Sequence, residues 1–145
     1  MVIYTIGFTQ KSAQDFFESI SGEDIKLLID TRLNNNSQLA GFSKKKDLPY
    51  FLEKLSNCQY SHQIEYAPTK ELLDSYRKKE LMWDQYEKMY RKLIKTRGVL
   101  EHFKRNFGQY SKVVLLCSES ASINCHRRVL AEEISNAFGY EVKHL

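Results

Sequence analysis

Two short polar stretches near the end of the chain hold most of the side chains suited to chemistry: Cys117-Ser118-Glu119 and Asn124-Cys125-His126-Arg127. The first follows the apolar run Val113-Val114-Leu115-Leu116, and the second opens an amphipathic segment marked by Val129, Leu130, Ile134, Ala137 and Phe138. Asn124 is a favourable N-cap residue, which predicts Cys125, His126 and Arg127 in the first helical turn. Backbone N–H groups lack partners there and the helix dipole favours anions. The same position favours a cysteine thiolate, and His126, Arg127 and Arg128 add to that effect. Cys125 is therefore a candidate nucleophile or redox group with His126 assisting. Glu119, two residues past a strand of near-continuous apolar character, is the candidate general acid or base, because burial or a basic neighbour tunes a carboxyl group. Cys117, Ser118, Asn124 and Arg127 surround these groups as candidate binding residues. Plainer readings stand beside each role: Cys125 as a small buried filler, the arginines as solvated, and Glu119 as a structural partner of Arg32 or Arg127.

A third polar stretch, Asp30-Thr31-Arg32, follows the apolar run Leu27-Leu28-Ile29. Asp30 and Arg32 alternate sides in an extended chain. Arg32 is read as the one facing a ligand, because a planar guanidinium suits carboxylate or phosphate. Cys117, Cys125, His126 and His62 are zinc-type ligands in kind, yet no Cys-x-x-Cys or His-x-x-x-His spacing is present, so no metal site is expected. Cys58 reads as structural.

The elements that position these residues follow from the pattern of apolar residues. Val2 to Ile6 forms a β-branched and aromatic run stopped by Gly7, and Ser12 caps a helix carrying Phe16, Phe17 and Ile20. The run through residues 26–30 is apolar on both faces, as a strand covered by helices on both sides must be. Arg32 to Ser43 is a long polar loop, long enough to suggest function. Leu48 to Leu55 reads as helix, Gln59 to His62 as a short strand, and Thr69 as the cap of the next helix. Residues 70–107 carry no β signal and predict an all-helical insertion or cap with Gly98 as a joint. Lys112 to Cys117 is a clear strand, the helix after it ends at Gly139, and Glu141 to Leu145 supplies a last strand. Alternating strands and helices predict one α/β domain over 1–145: three layers, a mostly parallel sheet, and ligands bound outside the carboxyl ends of the strands.

Composition sets the bounds. The 145 residues are 28% charged and 42% hydrophobic, ordinary for a globular domain. No apolar run approaches membrane-spanning length, Met1 leads directly into a strand, and three cysteines are too few and too odd a count for a disulfide framework. The expectation is a cytoplasmic protein with reduced thiols and no membrane association. A net charge of +4 is compatible with an anionic small molecule or a nucleic acid as partner. The basic stretch from Lys88 to Lys104, with Tyr86 and Tyr90 interleaved, suits a nucleic-acid surface or a solvated helix face.

Tyr4-Thr5-Ile6-Gly7, Asp30-Thr31-Arg32-Leu33-Asn34, Gly41-Phe42, Cys117-Ser118-Glu119 and Cys125-His126-Arg127 together resemble the bacterial and archaeal domain-of-unknown-function family 488. The resemblance implies an α/β fold and a polar pocket at these positions, with Thr5 and Gly7 among the binding residues. It brings no reaction and no cofactor. The family often has Gly-His after the first strand where this chain has Gly7-Phe8, so an imidazole role there is lost. Two functions fit: an enzyme on a nucleotide, nucleic acid or phosphorylated metabolite, or a non-catalytic binding protein whose affinity depends on Lys92, Lys95 and Arg97.

Overall fold

The structure, a computed structural model, describes residues 1–35, 41–118 and 124–145. Five strands, β1 (Val2–Gly7), β2 (Leu27–Asp30), β3 (Gln59–His62), β4 (Lys112–Cys117) and β5 (Glu141–His144), form one all-parallel sheet in the order β3-β2-β4-β1-β5. Among the described residues six α-helices flank it: α1 (Ala13–Gly22), α2 (Leu48–Ser56), α3 (Lys70–Arg77), α4 (Trp83–Thr96), α5 (Val99–Phe107) and α6 (His126–Phe138).

The pleat sorts the sheet's side chains into two cores. Ile3, Leu27, Ile29, Val113 and Leu115 face one way, toward Tyr86, Tyr90 and Ile94 of α4, Phe103 of α5 and Leu130 and Ile134 of α6. Tyr4, Ile6, Leu28, Val114 and Leu116 face the other way, toward Phe16, Phe17 and Ile20 of α1 and Leu48 and Leu52 of α2. This is the three-layer α/β arrangement expected. The 70–107 segment shares one layer of that fold with α6 and is a cover rather than an insertion, because its apolar stripe packs on that sheet face.

Helix starts follow their side chains. Ser12 Oγ accepts from Asp15 N at 3.0 Å, and Thr69 Oγ1 accepts from Leu72 N at 3.1 Å. Gly98 joins α4 to α5 in the left-handed region, φ 64°, where glycine carries no Cβ penalty. No helix among the described residues is long and apolar enough to cross a membrane.

The order of the strands places the site. β4 lies between β2 and β1, whose outgoing helices pack on the face opposite α6, the helix that follows β4. Connections therefore diverge at the carboxyl end of β4, and a crevice opens there.

Candidate functional site

A cleft of about 170 Å³ opens at that end of the sheet. Its floor is built by Cys117 and Ser118 from β4 and by Asn124, Cys125 and His126 at the start of α6; Arg32, Leu33 and Asn34 after β2 form one side. The opposite wall comes from the helical layer: Leu73, Tyr76 and Arg77 of α3, and Trp83 and Tyr86 of α4. Trp83 and Tyr86 stack with ring centroids 5.1 Å apart, and Tyr76 leans on Tyr86 at 4.9 Å.

The N-cap of α6 is Cys125, not Asn124. Cys125 has extended backbone (φ −137°, ψ 139°), its carbonyl accepts from Arg128 N at 3.1 Å, and its side chain makes no capping bond. It turns inward instead, and its sulfur touches that of Cys117, with the Cα atoms 7.6 Å apart. The cysteine count did not foreshadow this convergence, since the two positions are brought together only by β4 and α6. Cys58 lies elsewhere, buried in the α1/α2 core, where burial pushes its thiol up to about 12.

Arg127 also departs from expectation. It is 1% exposed and lies on the core-facing stripe of α6 with Leu130, Ala131 and Ile134, an i, i+3, i+4, i+7 set that the sequence itself displays. Its Nη1 donates to Cys117 Sγ at 3.1 Å and reaches Cys125 Sγ at 3.9 Å. It sits beneath the cleft, as the cation under the two sulfurs, and does not line it. Lys11, in the segment after β1, is held below the usual lysine range by burial and by the charge of Arg127, so positive charge gathers at this end of the sheet.

His126 has one identifiable tautomer. Its Nε2 lies 3.0 Å from both Thr31 O and Thr31 Oγ1, and Thr31 Oγ1 donates to Leu116 O at 2.8 Å. A carbonyl only accepts, and the threonine hydrogen is already given, so Nε2 carries the ring proton and Nδ1 keeps the lone pair. Burial is the main cause that pushes this imidazole down to about 4; Arg127 pushes the same way against the bond to Thr31. His126 is therefore a neutral ring at physiological pH.

Arg32 is not free to reach a ligand as predicted. β2 ends at Asp30, so the chain bends and the guanidinium folds back: Nε and Nη2 donate to Asp30 Oδ1 and Oδ2, both at 2.9 Å, and Nη2 donates to Ser43 O at 2.6 Å. Asp30 is fully buried and also accepts from Tyr60 of β3 at 2.7 Å. A buried carboxylate needs a paired cation, and Arg32 is that cation. The Phe8 ring lies 5.2 Å from the guanidinium carbon, which gives Phe8 a packing role at the position where an imidazole was expected from the resemblance.

Thr5 hydrogen-bonds His144 of β5 at 2.6 Å, and Gly7 pairs with Cys117 in the sheet; neither lines the cleft. Glu119 lies outside the described residues, as does the middle of the Arg32–Ser43 loop. Sequence reasoning missed Thr9, whose hydroxyl donates to Ser118 O at 2.6 Å and ties the β1 loop to the cleft floor. It also missed the wall residues Arg77 and Trp83. A lone tryptophan between two helical stripes was the available signal for the latter.

Neither a curated protein nor a solved structure matches this chain. The family described as Domain of unknown function DUF488 matches over residues 12–134. That span holds the Asp-x-Arg, Cys-x-Glu and Cys-His-Arg positions and leaves β1 outside it. With most of the chain and every motif around the cleft floor inside the match, the protein belongs to the DUF488 family.

Proposed function

We propose that the protein is an enzyme acting on a nucleotide-like substrate, a planar ring joined to an anionic group. The observation that carries this reading is the pairing of two unlike surfaces across one cleft. The wall is aromatic, with Trp83 and Tyr76 partly exposed along it, and aromatic faces stack on nucleobases. The floor is the start of a helix, where first-turn N–H groups and the dipole favour an anion, with Arg77 on the rim.

In this reading the ring stacks on Trp83 while Ser118, Asn124, Arg77 and the α6 N-terminus take the anion. Cys125, backed by Cys117 and Arg127, is the nucleophilic group. His126 Nδ1 accepts a proton or a substrate hydrogen bond, and Glu119, which follows Ser118 in the chain, serves as general acid or base. The binding-protein alternative has less support. Arg97 donates to Glu65 O and Ala67 O, at 3.0 and 2.7 Å, and Arg91 is engaged by Glu132 and Glu133, so the basic stretch is partly committed to internal bonds.

The test is turnover on a panel of nucleoside phosphates and simpler phosphoesters. At least one nucleoside phosphate is expected to be consumed, and Glu119→Gln is expected to slow it by ~10²–10⁴-fold. A Glu119→Gln/Cys125→Ser double variant as active as the parent would overturn the assigned roles.

A further inference from the structure

We propose that Cys117, Cys125 and His126 bind a soft divalent metal ion of the zinc class through three protein ligands, with a fourth position open to the cleft; with the ion bound, Cys125 and His126 are ligands in place of nucleophile and proton acceptor, while the aromatic wall and the anion-binding floor keep their roles. The donor atoms of the three side chains all lie within 4.8 Å of one another. Bonds of ~2.3 Å to sulfur and ~2.0–2.1 Å to imidazole nitrogen let one tetrahedral ion satisfy such a set once the two sulfurs, which touch each other in the metal-free chain, move apart. The Cα atoms of Cys117 and Cys125 are 7.6 Å apart, beyond the roughly 6.8 Å limit across which a covalent cross-link closes without backbone movement. Two thiolates that meet at a common ion have no such requirement.

The surroundings fit the same assignment. His126 donates its Nε2 proton to Thr31 O at 3.0 Å, which leaves the Nδ1 lone pair for a metal; a bond of this kind is what orients a metal-bound imidazole. The buried Arg127 donates to Cys117 Sγ at 3.1 Å, a bond that an electron-rich thiolate accepts and that partly balances two thiolates in a buried place. Thiolate with imidazole selects zinc-class ions over magnesium or calcium. Two cysteines and one histidine with an open position is the composition of a catalytic rather than a closed structural centre, and Ser118 and Asn124 stand beside that opening. The short-spacing motifs of zinc sites are absent because the fold, not the local sequence, brings β4 and α6 together.

The test uses the full chain, reduced and stripped of metal, titrated with cobalt(II) chloride alone. One ion is expected per chain, with thiolate-to-cobalt charge-transfer absorption, displacement by zinc, and protection of Cys117 and Cys125 from alkylation. Cys58→Ser keeps the band. Cys125→Ser and His126→Gln weaken binding by more than the ~10–100-fold that loss of an outer-shell partner costs. Absence of the band in reduced parent protein shown by circular dichroism to be folded would contradict the proposal, as would an undiminished band in Cys125→Ser. A native protein with one titratable thiol before reduction and no cobalt uptake after it would also overturn it, identifying the pair as a redox disulfide. No substrate is present, so failure here is separate from failure of the nucleotide reading.

Discussion

Arg32 and Asp30 show what burial does to a single charged pair. Asp30 is wholly buried and Arg32 nearly so, so removing the guanidinium leaves a carboxylate with no cation in a dry site. Arg32→Met is expected to cost ~3–5 kcal/mol of stability, measured by urea unfolding, whereas Tyr60→Phe removes one hydrogen bond to that carboxylate and costs ~1.5–3 kcal/mol. Equal losses would refute the view that Arg32 acts as the obligatory counter-charge. His126 makes a second prediction, on metal-free protein. Its folded imidazole is pushed down to about 4, against ~6.5 in the unfolded chain. The unfolded state binds more protons between these values, so stability is complete above about pH 6.5 and falls as pH drops toward 4, by on the order of 3 kcal/mol. His126→Gln should flatten that part of the stability-versus-pH curve, and an unchanged slope would count against the buried neutral ring.

At the scale of elements, the cleft depends on α4 staying against α6. Arg91 of α4 donates to Glu133 at 2.7 Å and to Glu132 at 2.5 Å, and Arg128 of α6 donates to Glu87 at 2.8 Å, so charges from both helices interlock. These groups are partly exposed and screened, so Arg91→Ala is expected to cost only ~1 kcal/mol, less at high salt. Its informative effect is on the wall: Trp83 lies 5.9 Å from the Arg128 guanidinium, and loosening α4 should broaden the environment that tryptophan reports. Thr69 acts one helix earlier. Thr69→Ala removes the cap of α3, which carries Tyr76 and Arg77, and is expected to lower the urea midpoint by an amount equivalent to ~1 kcal/mol. A larger loss from Thr69→Ala than from Arg32→Met would show that the α3 cap contributes more than the buried ion pair.

For the molecule as a whole, the layers were legible because local signals agreed with the fold. The run from Val113 to Leu116 reads as a strand covered on both faces, and it alternates between the two cores. Ser12, Thr69 and Gly98 mark helix boundaries through their own chemistry. The candidate site was legible only in part. Strand ends and the α6 start are local features, and those after β2 and β4 line one cleft with the α6 start, whereas the end of β1 does not. The bond from Arg32 to Asp30 depends on Tyr60 and Ser43, from β3 and a distant turn, and the contact of Cys117 with Cys125 depends on how α6 packs. The aromatic wall is likewise non-local, since Tyr76, Trp83 and Tyr86 look like core residues of a helical stripe until the layer is docked.

Trp83 is the chain's single tryptophan and lines the cleft, which makes its emission a direct probe of nucleotide binding there. Titration with a nucleoside 5′-monophosphate, its parent nucleoside and inorganic phosphate separates the stacking wall from the anion floor. Stacking contributes ~1–3 kcal/mol per base, and the anion contact adds to it. Saturable quenching by the nucleotide is expected, with binding weakened at least ~10-fold for the nucleoside and no quenching by phosphate. Unchanged emission with all three, or equal affinity for nucleotide and nucleoside, would contradict it.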